Sequence, residues 1–239
     1  MKRIWDFWSA AFYGFSRWAI PFALRLGGSL RIDHAERVPL EGGVMIVANH
    51  AALVDPVLVC AVAPRRLRPI AKRELFETPL IGWTVWLYGA FPVRRHSGDL
   101  GALRAGRNHL RAGRAVLVHP EGTRSPDGRL IPGLPGSAVM ALLGGAPIVP
   151  CAVTGTAPIK GPRSILRAVL GRRLSVRVDF GEPFMLDGGK PTADRAEAAT
   201  DLIMRRIAEL MPEEYRGAYG AGSEGQLVVA RHRDGDHPE

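Results

Sequence analysis

Short apolar runs alternate with segments of helical periodicity along most of this chain, and this alternation restricts the fold more than any other feature. Alternation of this kind is typical of α/β proteins, in which helices cover a largely parallel sheet. We therefore expect an α/β fold with a mostly parallel or mixed sheet of about seven strands covered by helices. Strand candidates lie near 29–33, 44–48, 69–71, 89–93, 115–118, 147–153 and 174–180, and helix candidates near 56–63, 79–88, 98–112, 136–144 and 193–211.

The length of the chain and its last helix indicate one principal domain. A chain of 239 residues can bury a full core as a single unit. Thr192 or Asp194 can cap the last helix, and Pro212 should stop it. The sequence that follows is rich in Gly, Asp, Arg and His, so we expect a domain over 28–216 and a disordered tail over 217–239.

Aromatic residues are concentrated near the N-terminus, where basic residues interrupt every apolar stretch well short of the ~20 residues that span a bilayer. Indole rings prefer the headgroup level of a membrane. We expect residues 1–27 to form one or two amphipathic helices in the membrane interface with a break at Pro21, the alternative being an ordinary helix on the core. For the apolar segment 79–88, a buried helix is favoured over lipid contact. The N-terminal aromatic residues are Trp5, Phe7, Trp8, Phe12, Tyr13, Phe15, Trp18 and Phe22.

The charge balance predicts an anionic partner. The net charge of +9 suits either nucleic acid or an anionic membrane surface. The basic runs at 65–68 and 72–73 lack the interleaved aromatic residues of a nucleic-acid stacking surface, and we expect several of these side chains to be solvated. Cys60 and Cys151 lie in apolar runs and should be reduced core residues. We therefore expect a protein at the cytoplasmic face of the cell membrane, with no nucleic-acid partner.

A histidine and an aspartate lie between a predicted strand and a predicted helix. Asn49 and His50 follow the apolar run 44–48, and Asp55 with Pro56 can open the next helix. One oxygen of Asp55 can cap that helix while the other accepts a hydrogen bond from a ring nitrogen of His50. The second ring nitrogen is then a base with a fixed tautomer. A buried structural histidine beside a capping aspartate explains the same residues equally well.

Two other strand ends present groups that suit an anion. One strand candidate leads into His-Pro-Glu-Gly-Thr-Arg-Ser at 119–125, and another leads into Arg94 and Arg95. Gly122 allows close backbone approach, and Arg124 offers a planar fork that matches a phosphate. For either Arg94 or Arg95 alone, a solvated surface charge is the commoner outcome. The sequence contains no Gly-x-Ser-x-Gly elbow, which argues against a serine hydrolase of the usual α/β type, and no glycine-rich phosphate loop. It also contains no His-Glu-x-x-His and no Cys-x-x-Cys, so we predict no metal site.

Taken together, these motifs resemble those of the 1-acyl-glycerol-3-phosphate acyltransferases, also called lysophosphatidic acid acyltransferases. The resemblance covers roughly residues 28–216, and the order and spacing of the motifs also match. The matching residues are Asn49, His50 and Asp55 in the first motif, Gly89 to Arg95 in the second, His119 to Ser125 in the third, with His119 in place of phenylalanine, and Ile148-Val149-Pro150 in the fourth.

The resemblance implies an O-acyltransferase of phospholipid biosynthesis. The expected reaction moves a fatty acyl group from acyl-CoA or acyl carrier protein, a co-substrate with no other cofactor, to the sn-2 hydroxyl of 1-acyl-glycerol-3-phosphate. The product is phosphatidic acid. His50 is the expected general base, oriented by Asp55. Glu121 is expected to arrange the arginines or the loop, or else to pair with Arg124 as a structural carboxylate. The expected phosphate-binding residues are Arg94, Arg95, Glu121, Gly122, Thr123 and Arg124.

Two departures from the family pattern keep alternatives open. His119 replaces an aromatic residue, a change that can be limited to packing. Leu134-Pro135-Gly136 stands where the family often has a lysine, so glycerol-3-phosphate, another lysolipid or a glycolipid is an alternative acceptor. Alternatives of another class are a non-catalytic basic membrane protein that binds phosphatidic acid and, from charge alone, a nucleic-acid-binding protein.

Overall fold

A single mixed sheet organises the chain. The computed structural model describes residues 2–94, 99–159, 161, 164 and 174–221. Within these residues the strands are β1 (Gly28–Asp33), β2 (Val44–Ala48), β3 (Leu67–Lys72), β4 (Phe91–Val93), β5 (Ala115–Val118), β6 (Ile148–Thr154) and β7 (Leu174–Phe180). Their order across the sheet is β1-β7-β6-β2-β5-β3-β4.

The sheet is mostly parallel. The strands β6, β2, β5, β3 and β4 pair in parallel, whereas β7 pairs antiparallel with β6 and parallel with β1. The predicted α/β class with a mixed sheet is therefore confirmed. The strand expected at 89–93 begins only at Phe91, because Gly89 turns the chain with a φ of 67°.

Helices cover both faces of the sheet. They are α1 (Lys2–Gly27), α2 (Asp55–Val62), α3 (Ile81–Leu87), α4 (Leu100–Arg111), α5 (Gly136–Gly144) and α6 (Ala193–Ala208). The Thr192 side chain, not that of Asp194, caps α6 by accepting a hydrogen bond from the Arg195 N–H. The helix ends at Ala208, three residues earlier than the sequence predicts.

The sheet is buried on both sides, which explains the continuous apolar runs in its central strands. In β2 all five residues are buried. Val44, Ile46 and Ala48 join a core cluster with residues of α1 and α2. Met45 and Val47 join a second cluster with residues of α4, α5 and α6 on the opposite face. Cys60 and Cys151 are both buried free thiols, as predicted.

The N-terminal segment forms one continuous helix, so the predicted break at Pro21 is wrong. One face of α1 packs against the core, and Ile20 and Leu24 on either side of the proline belong to that face. Tyr13 is 2 % exposed, and its hydroxyl accepts a hydrogen bond from the Leu67 N–H at 2.8 Å. Ser9 is also buried and donates to the Leu87 carbonyl at 2.6 Å. The helix is therefore both a core element and, on its other face, an exposed apolar surface.

The basic runs are solvated only in part: Arg66, Lys72 and Arg73 are exposed, as expected for several of these side chains, whereas Arg65 and Arg68 are half-buried. Arg65 donates to the carbonyl oxygens of Pro39, Gly42 and Gly113. Arg66 donates to the Ser9 hydroxyl, and the Arg68 guanidinium lies 5.4 Å from the centre of the Trp5 ring. These contacts fasten α1 and the neighbouring loops to the start of β3.

The helix α3 is not the buried helix favoured from the sequence. Gly82 is its only buried residue, whereas Trp83 is 69 % exposed and Leu80, just before the helix, is 82 % exposed. Trp86 contacts Trp5 of α1 edge-to-face. The exposed apolar face of α3 is therefore continuous with that of α1.

The disordered tail was expected to begin at residue 217, but the ordered structure continues beyond that residue. Gly217–Tyr219 form a short 3₁₀ turn, and Tyr219 is buried with its hydroxyl accepting a hydrogen bond from the Gly133 N–H at 3.2 Å. Residues 222–239, which make up the rest of the expected tail, lie outside the described residues. Across the described part of the chain, no helix combines the length and the hydropathy needed to cross a membrane.

The packing of α1 can be tested by unfolding. Tyr13→Ala should lower the free energy of unfolding by roughly 3–5 kcal/mol, because it removes a buried aromatic ring and leaves a cavity. Phe15→Ala is the matched control on the same helix, since Phe15 is 63 % exposed, and it should change the free energy by no more than ~0.5 kcal/mol. Urea denaturation followed by circular dichroism measures both. Equal effects would contradict a core role for α1.

Candidate active site

The carboxyl ends of four neighbouring parallel strands meet at one edge of the sheet. Because β2 and β5 pair in parallel with Val47 opposite Val118, the loops that follow them lie side by side. The first loop carries His50 and the second carries His119. Next to them, β3 ends at Lys72 and β4 leads into Arg94. This edge is where ligands commonly bind in open α/β sheets.

Asn49 fixes the end of β2 to β6. Its amide nitrogen donates to the Val153 carbonyl at 2.8 Å, and its amide oxygen accepts from the Val153 N–H at 2.7 Å. Both groups are buried, so each amide atom has a partner that replaces water. The motif match pointed to Asn49, but only the strand order shows that Asn49 positions the loop.

The structure brings His50 and Asp55 together as the sequence predicted. The Nδ1 atom of His50 lies 3.3 Å from Oδ2 of Asp55. His50 is 7 % exposed and Asp55 is fully buried. Because the carboxylate oxygen accepts, Nδ1 is assigned as the protonated nitrogen and Nε2 as the free base. The role of the pair in catalysis stays a prediction.

Asp55 does not cap α2, which corrects the division of its oxygens expected from the sequence. Asp55 is the first residue of the helix, with Val54 at the cap position. Oδ2 accepts from the N–H groups of Ala51 at 2.7 Å and Ala52 at 2.6 Å as well as from His50. Oδ1 is buried without a hydrogen-bond partner among the described residues. The turn at 51–54 directs the N–H groups of Ala51 and Ala52 towards the Asp55 carboxylate. The carboxylate therefore stabilises the loop that leads into α2.

Glu121 binds the same loop from the other side and does not pair with Arg124. Its Oε1 accepts from the His50 backbone N–H at 2.6 Å, and its Oε2 accepts from the Ile131 N–H at 3.1 Å. The residue is 3 % exposed, and burial raises the pKa of its carboxyl to about 8, against the effect of the two N–H donors. Of the roles expected for Glu121, the arrangement of the loop is the one that its contacts support.

The segment 119–125 contacts the His50 loop at three further points. The Ser125 N–H donates to the His50 carbonyl at 2.7 Å. The His119 Nδ1 lies 3.0 Å from the carbonyl oxygens of both Ala48 and Asn49. The rings of His119 and His50 are stacked, with centroids 4.4 Å apart and planes inclined by 26°. The third motif thus acts as a support for the first.

A cavity of about 570 Å³ opens beside His50, within the range of ~300–1,000 Å³ that is common for ligand pockets. Its walls are mainly apolar and come from α2, α3, α4 and α5, with examples in Val57, Val85, Leu103 and Met140. His50 and His119 also line it. The cavity therefore joins a polar corner at the strand ends to a long apolar interior.

The expected anion-binding residues are only partly gathered at this cavity. Arg94 and Gly122 line it, and so does Lys72 of the basic run 72–73, which was not among the residues expected to bind an anion. Thr123 and Arg124 are exposed beside it and do not belong to its lining. Arg95 lies outside the described residues. Within the described ranges, no group of three or more His, Cys, Asp or Glu side chains is arranged to bind a metal ion.

The fold and this polar corner define an α/β protein with a histidine–aspartate pair facing an apolar cavity. The family model described as Acyltransferase matches residues 29–154, more than half of the chain. The chain therefore belongs to the acyltransferase family, and the predicted enzyme class, an O-acyltransferase, is confirmed.

Named relatives extend the similarity to most of the chain. The 1-acyl-sn-glycerol-3-phosphate acyltransferase of Bacillus subtilis is 28 % identical over 83 % of this chain and 96 % of its own length. The protein of the same name from Streptococcus pneumoniae is 27 % identical over 84 % of this chain and 74 % of its own length. A solved structure, the 1-acyl-sn-glycerophosphate acyltransferase PlsC from Thermotoga maritima, superposes with a TM-score of 0.58 at 24 % identity. It covers 82 % of this chain and 80 % of that chain, and it supports the fold.

The protonation of Glu121 gives a testable pH dependence. The ordinary pKa of 4.5 is raised to about 8 in the folded protein, so the folded state retains a proton that the unfolded chain releases. The free energy of unfolding should therefore fall as the pH rises through this window, by at most ~1.4 kcal/mol per pH unit. His119 has the opposite sign. Burial and then the His50 charge lower its pKa from 6.5 to about 3, so its contribution is lost as the pH falls below about 6.5.

The Glu121 contribution is consequently isolated between about pH 6.5 and 8. In urea denaturation over that range, wild-type stability should decline with pH, whereas Glu121→Gln should be less stable but nearly free of this slope. Glu209→Gln is the control, because Glu209 is an exposed carboxylate 3.4 Å from Arg206 and should retain the wild-type slope. A Glu121→Gln protein with an unchanged slope would show that Glu121 is ionised throughout.

Proposed function

We propose that this enzyme transfers a fatty acyl group from an acyl thioester to the sn-2 hydroxyl of 1-acyl-glycerol-3-phosphate, making phosphatidic acid for phospholipid biosynthesis. The main support is the contact of His50 with Asp55 at the mouth of the apolar cavity. The names of the Bacillus and Streptococcus relatives support the same acceptor. The donor is acyl-CoA or acyl carrier protein, bound as a co-substrate, and the chemistry requires no resident cofactor.

In the proposed mechanism, His50 is the general base. A neutral hydroxyl is a poor nucleophile, so Nε2 of His50 removes its proton as the oxygen attacks the thioester carbonyl. Asp55 fixes the ring through Nδ1 and stabilises the imidazolium that forms. Collapse of the tetrahedral intermediate breaks the carbon–sulfur bond, and the imidazolium returns its proton to the leaving thiolate. No acyl-enzyme is needed, because the nucleophile belongs to the substrate.

The cavity and its polar corner suit the two ends of the substrates. The apolar interior formed by α2, α3, α4 and α5 can bury an acyl chain. At the corner, Arg94, Lys72 and Gly122 offer cations and close backbone approach to a phosphate. Arg124, Thr123 and Arg95 belong to the same proposal on the strength of the motif match, with Glu121 acting through the loop. Fixing both reactants in this way supplies part of the catalysis.

His50→Ala tests the mechanism. Turnover should fall by roughly 10²–10⁴ because the base is lost, while the melting temperature changes little. His34→Asn is a matched control: His34 contacts Asp179 on β7 and has a left-handed backbone conformation, with a φ of 56°, that asparagine also adopts. Release of free thiol from the acyl donor measures turnover. Near-normal transfer by the His50→Ala protein would exclude His50 as the base.

Other acceptors are favoured by one observation. Leu134 stands where the family often has a lysine, and its side chain lies over Gly122, since a Cβ placed there would be 2.4 Å from Leu134 Cδ1. Over Gly122 the corner therefore has an apolar cover, in addition to the cations Lys72 and Arg94 that line the cavity. A matrix of two donors, acyl-CoA and acyl carrier protein, against lysophosphatidic acid, glycerol-3-phosphate, other lysolipids and a glycolipid identifies the acceptor, with His50→Ala as the blank.

We also propose that the protein binds an anionic membrane, at the cytoplasmic face of the cell, through one continuous aromatic surface. Along α1 the exposed apolar residues recur at helical spacing, and Arg17 and Arg25 flank them. Trp5 connects this stripe to Trp86 and Trp83 of α3. The aromatic surface comprises Ile4, Phe7, Trp8, Phe15, Trp18, Phe22, Leu26, Leu80, Trp83 and Trp86.

Substitution of exposed rings tests this surface better than deletion of α1, which would also remove Tyr13 from the core. The triple variant Phe15→Ala, Trp18→Ala, Phe22→Ala should bind phosphatidylglycerol-containing vesicles at least roughly tenfold more weakly, because each ring withheld from lipid forfeits about 1 kcal/mol or more. Vesicle sedimentation measures binding. Leu202→Ala, an exposed apolar position on α6, is the control and should bind like the wild type. Unchanged binding by the triple variant would exclude the aromatic surface.

A further inference from the structure

His119 occupies a position that its place in the motif does not explain. The family has phenylalanine there, and an aromatic ring alone would fill the space against His50. In this chain the ring also has a nitrogen, Nδ1, within 3.0 Å of two backbone carbonyl oxygens, those of Ala48 and Asn49. Carbonyl oxygens only accept, so Nδ1 must carry the hydrogen and share it between them. These two residues directly precede His50.

The stacking of His119 on His50 opposes a tilt of the His50 ring that the hydrogen bond to Asp55 permits. The hydrogen bond from His50 Nδ1 to Asp55, at 3.3 Å, holds one edge of the ring but leaves its plane free to tilt about that contact. The His119 ring lies against the face of the His50 ring at 4.4 Å. Glu121 and Ser125 bind the His50 backbone, so among the hydrogen bonds and ring contacts of His50 with the described residues, the stacked ring of His119 is the one that opposes tilting.

We propose that His119 is a positioning residue that sets the plane of the His50 ring by stacking on it and by donating its Nδ1 hydrogen to the strand end from which His50 emerges. The inference rests on the proposed role of His50 as the base. It assigns His119 no contact with the reacting atoms. Its Nε2 is buried and has no hydrogen-bond partner among the described residues, and the proposal gives this nitrogen no part in proton transfer.

The surroundings of the two rings explain why His119 remains neutral. Asp55 and Glu121 are the acidic groups beside the pair, and Lys72 and Arg94 line the same cavity. Burial, followed by the charge of His50, lowers the pKa of His119 to about 3. At working pH the His119 ring therefore stays uncharged. A neutral, fixed ring can accompany the imidazolium of His50 without repelling it.

Two substitutions separate the two contacts of His119. His119→Phe retains an aromatic face of similar size but removes the Nδ1 hydrogen, whereas His119→Ala removes both. We expect His119→Ala to lower kcat roughly tenfold or more with the KM of donor and acceptor changed less than twofold, because a misoriented base affects the chemical step and not binding. His119→Phe should show a smaller loss in kcat, again without a change in KM.

The double variant shows whether His119 acts through His50. In a protein that already has His50→Ala, the additional His119→Ala should cause no further loss of activity, because there is no ring left to position. A purely structural role would lower activity by the same factor in both backgrounds and would lower the melting temperature of both His119 variants. His34→Asn again controls for the loss of a histidine outside the site.

The outcomes distinguish this inference from the proposed function. Activity retained by His50→Ala would overturn the proposed mechanism itself. An inactive His50→Ala protein together with a wild-type kcat for His119→Ala would overturn only the positioning role. Equal losses in both backgrounds, an increase confined to KM, or failure of both His119 variants to fold would also overturn it.

Discussion

The parallel pairing of β2 with β5 is the constraint on which the rest of the site depends. It places the ends of both strands at the same edge of the sheet, so a loop bearing His50 and a loop bearing His119 must lie side by side. The contacts of Glu121, Ser125 and His119 with the His50 loop all depend on this proximity. Asn49 fixes β2 to β6 on the other side, and the His50 loop is thereby attached to three neighbouring strands. A site fixed by a sheet varies less in geometry than one built on loops alone.

Two buried acidic side chains stabilise this arrangement through backbone N–H donors. Asp55 receives the N–H groups of Ala51 and Ala52, and Glu121 receives those of His50 and Ile131. Backbone donors are fixed by the fold, so they can satisfy a buried acid at a smaller cost in side-chain entropy than a lysine or arginine. Glu121 thus binds backbone N–H groups in place of the pairing with Arg124 that was considered for it.

Much of the fold could be predicted because its signals are local. Strands buried on both faces appear as unbroken apolar runs, so the bounds of β2 and β5 match those expected from the sequence. The bounds of β7 also match, although its residues alternate between apolar and polar over most of its length. Features that depend on tertiary contacts could not be read in this way. Pro21 lies inside α1, where Ile20 and Leu24 beside it pack against the core. Arg65 binds backbone carbonyls and Arg66 contacts α1, and the sequence alone does not reveal these partners. In the site, the motif spacing identified His50 and Asp55, but the partners of Glu121 and the stacking of His119 required the strand order.

The position of α3 connects the site to the proposed membrane contact. One side of this helix lines the apolar cavity through Ile81, Thr84 and Val85, while the other side exposes Trp83 and Trp86. If the exposed side rests in the lipid interface, a single short helix separates the cavity from the acyl chains of the bilayer. A substrate with an acyl chain at one end and a charged headgroup at the other could then reach His50 without leaving the interface. The polar corner at the strand ends and the apolar interior match the two ends of such a molecule, so the proposed membrane contact and the proposed acceptor require the same arrangement of α3 beside the cavity.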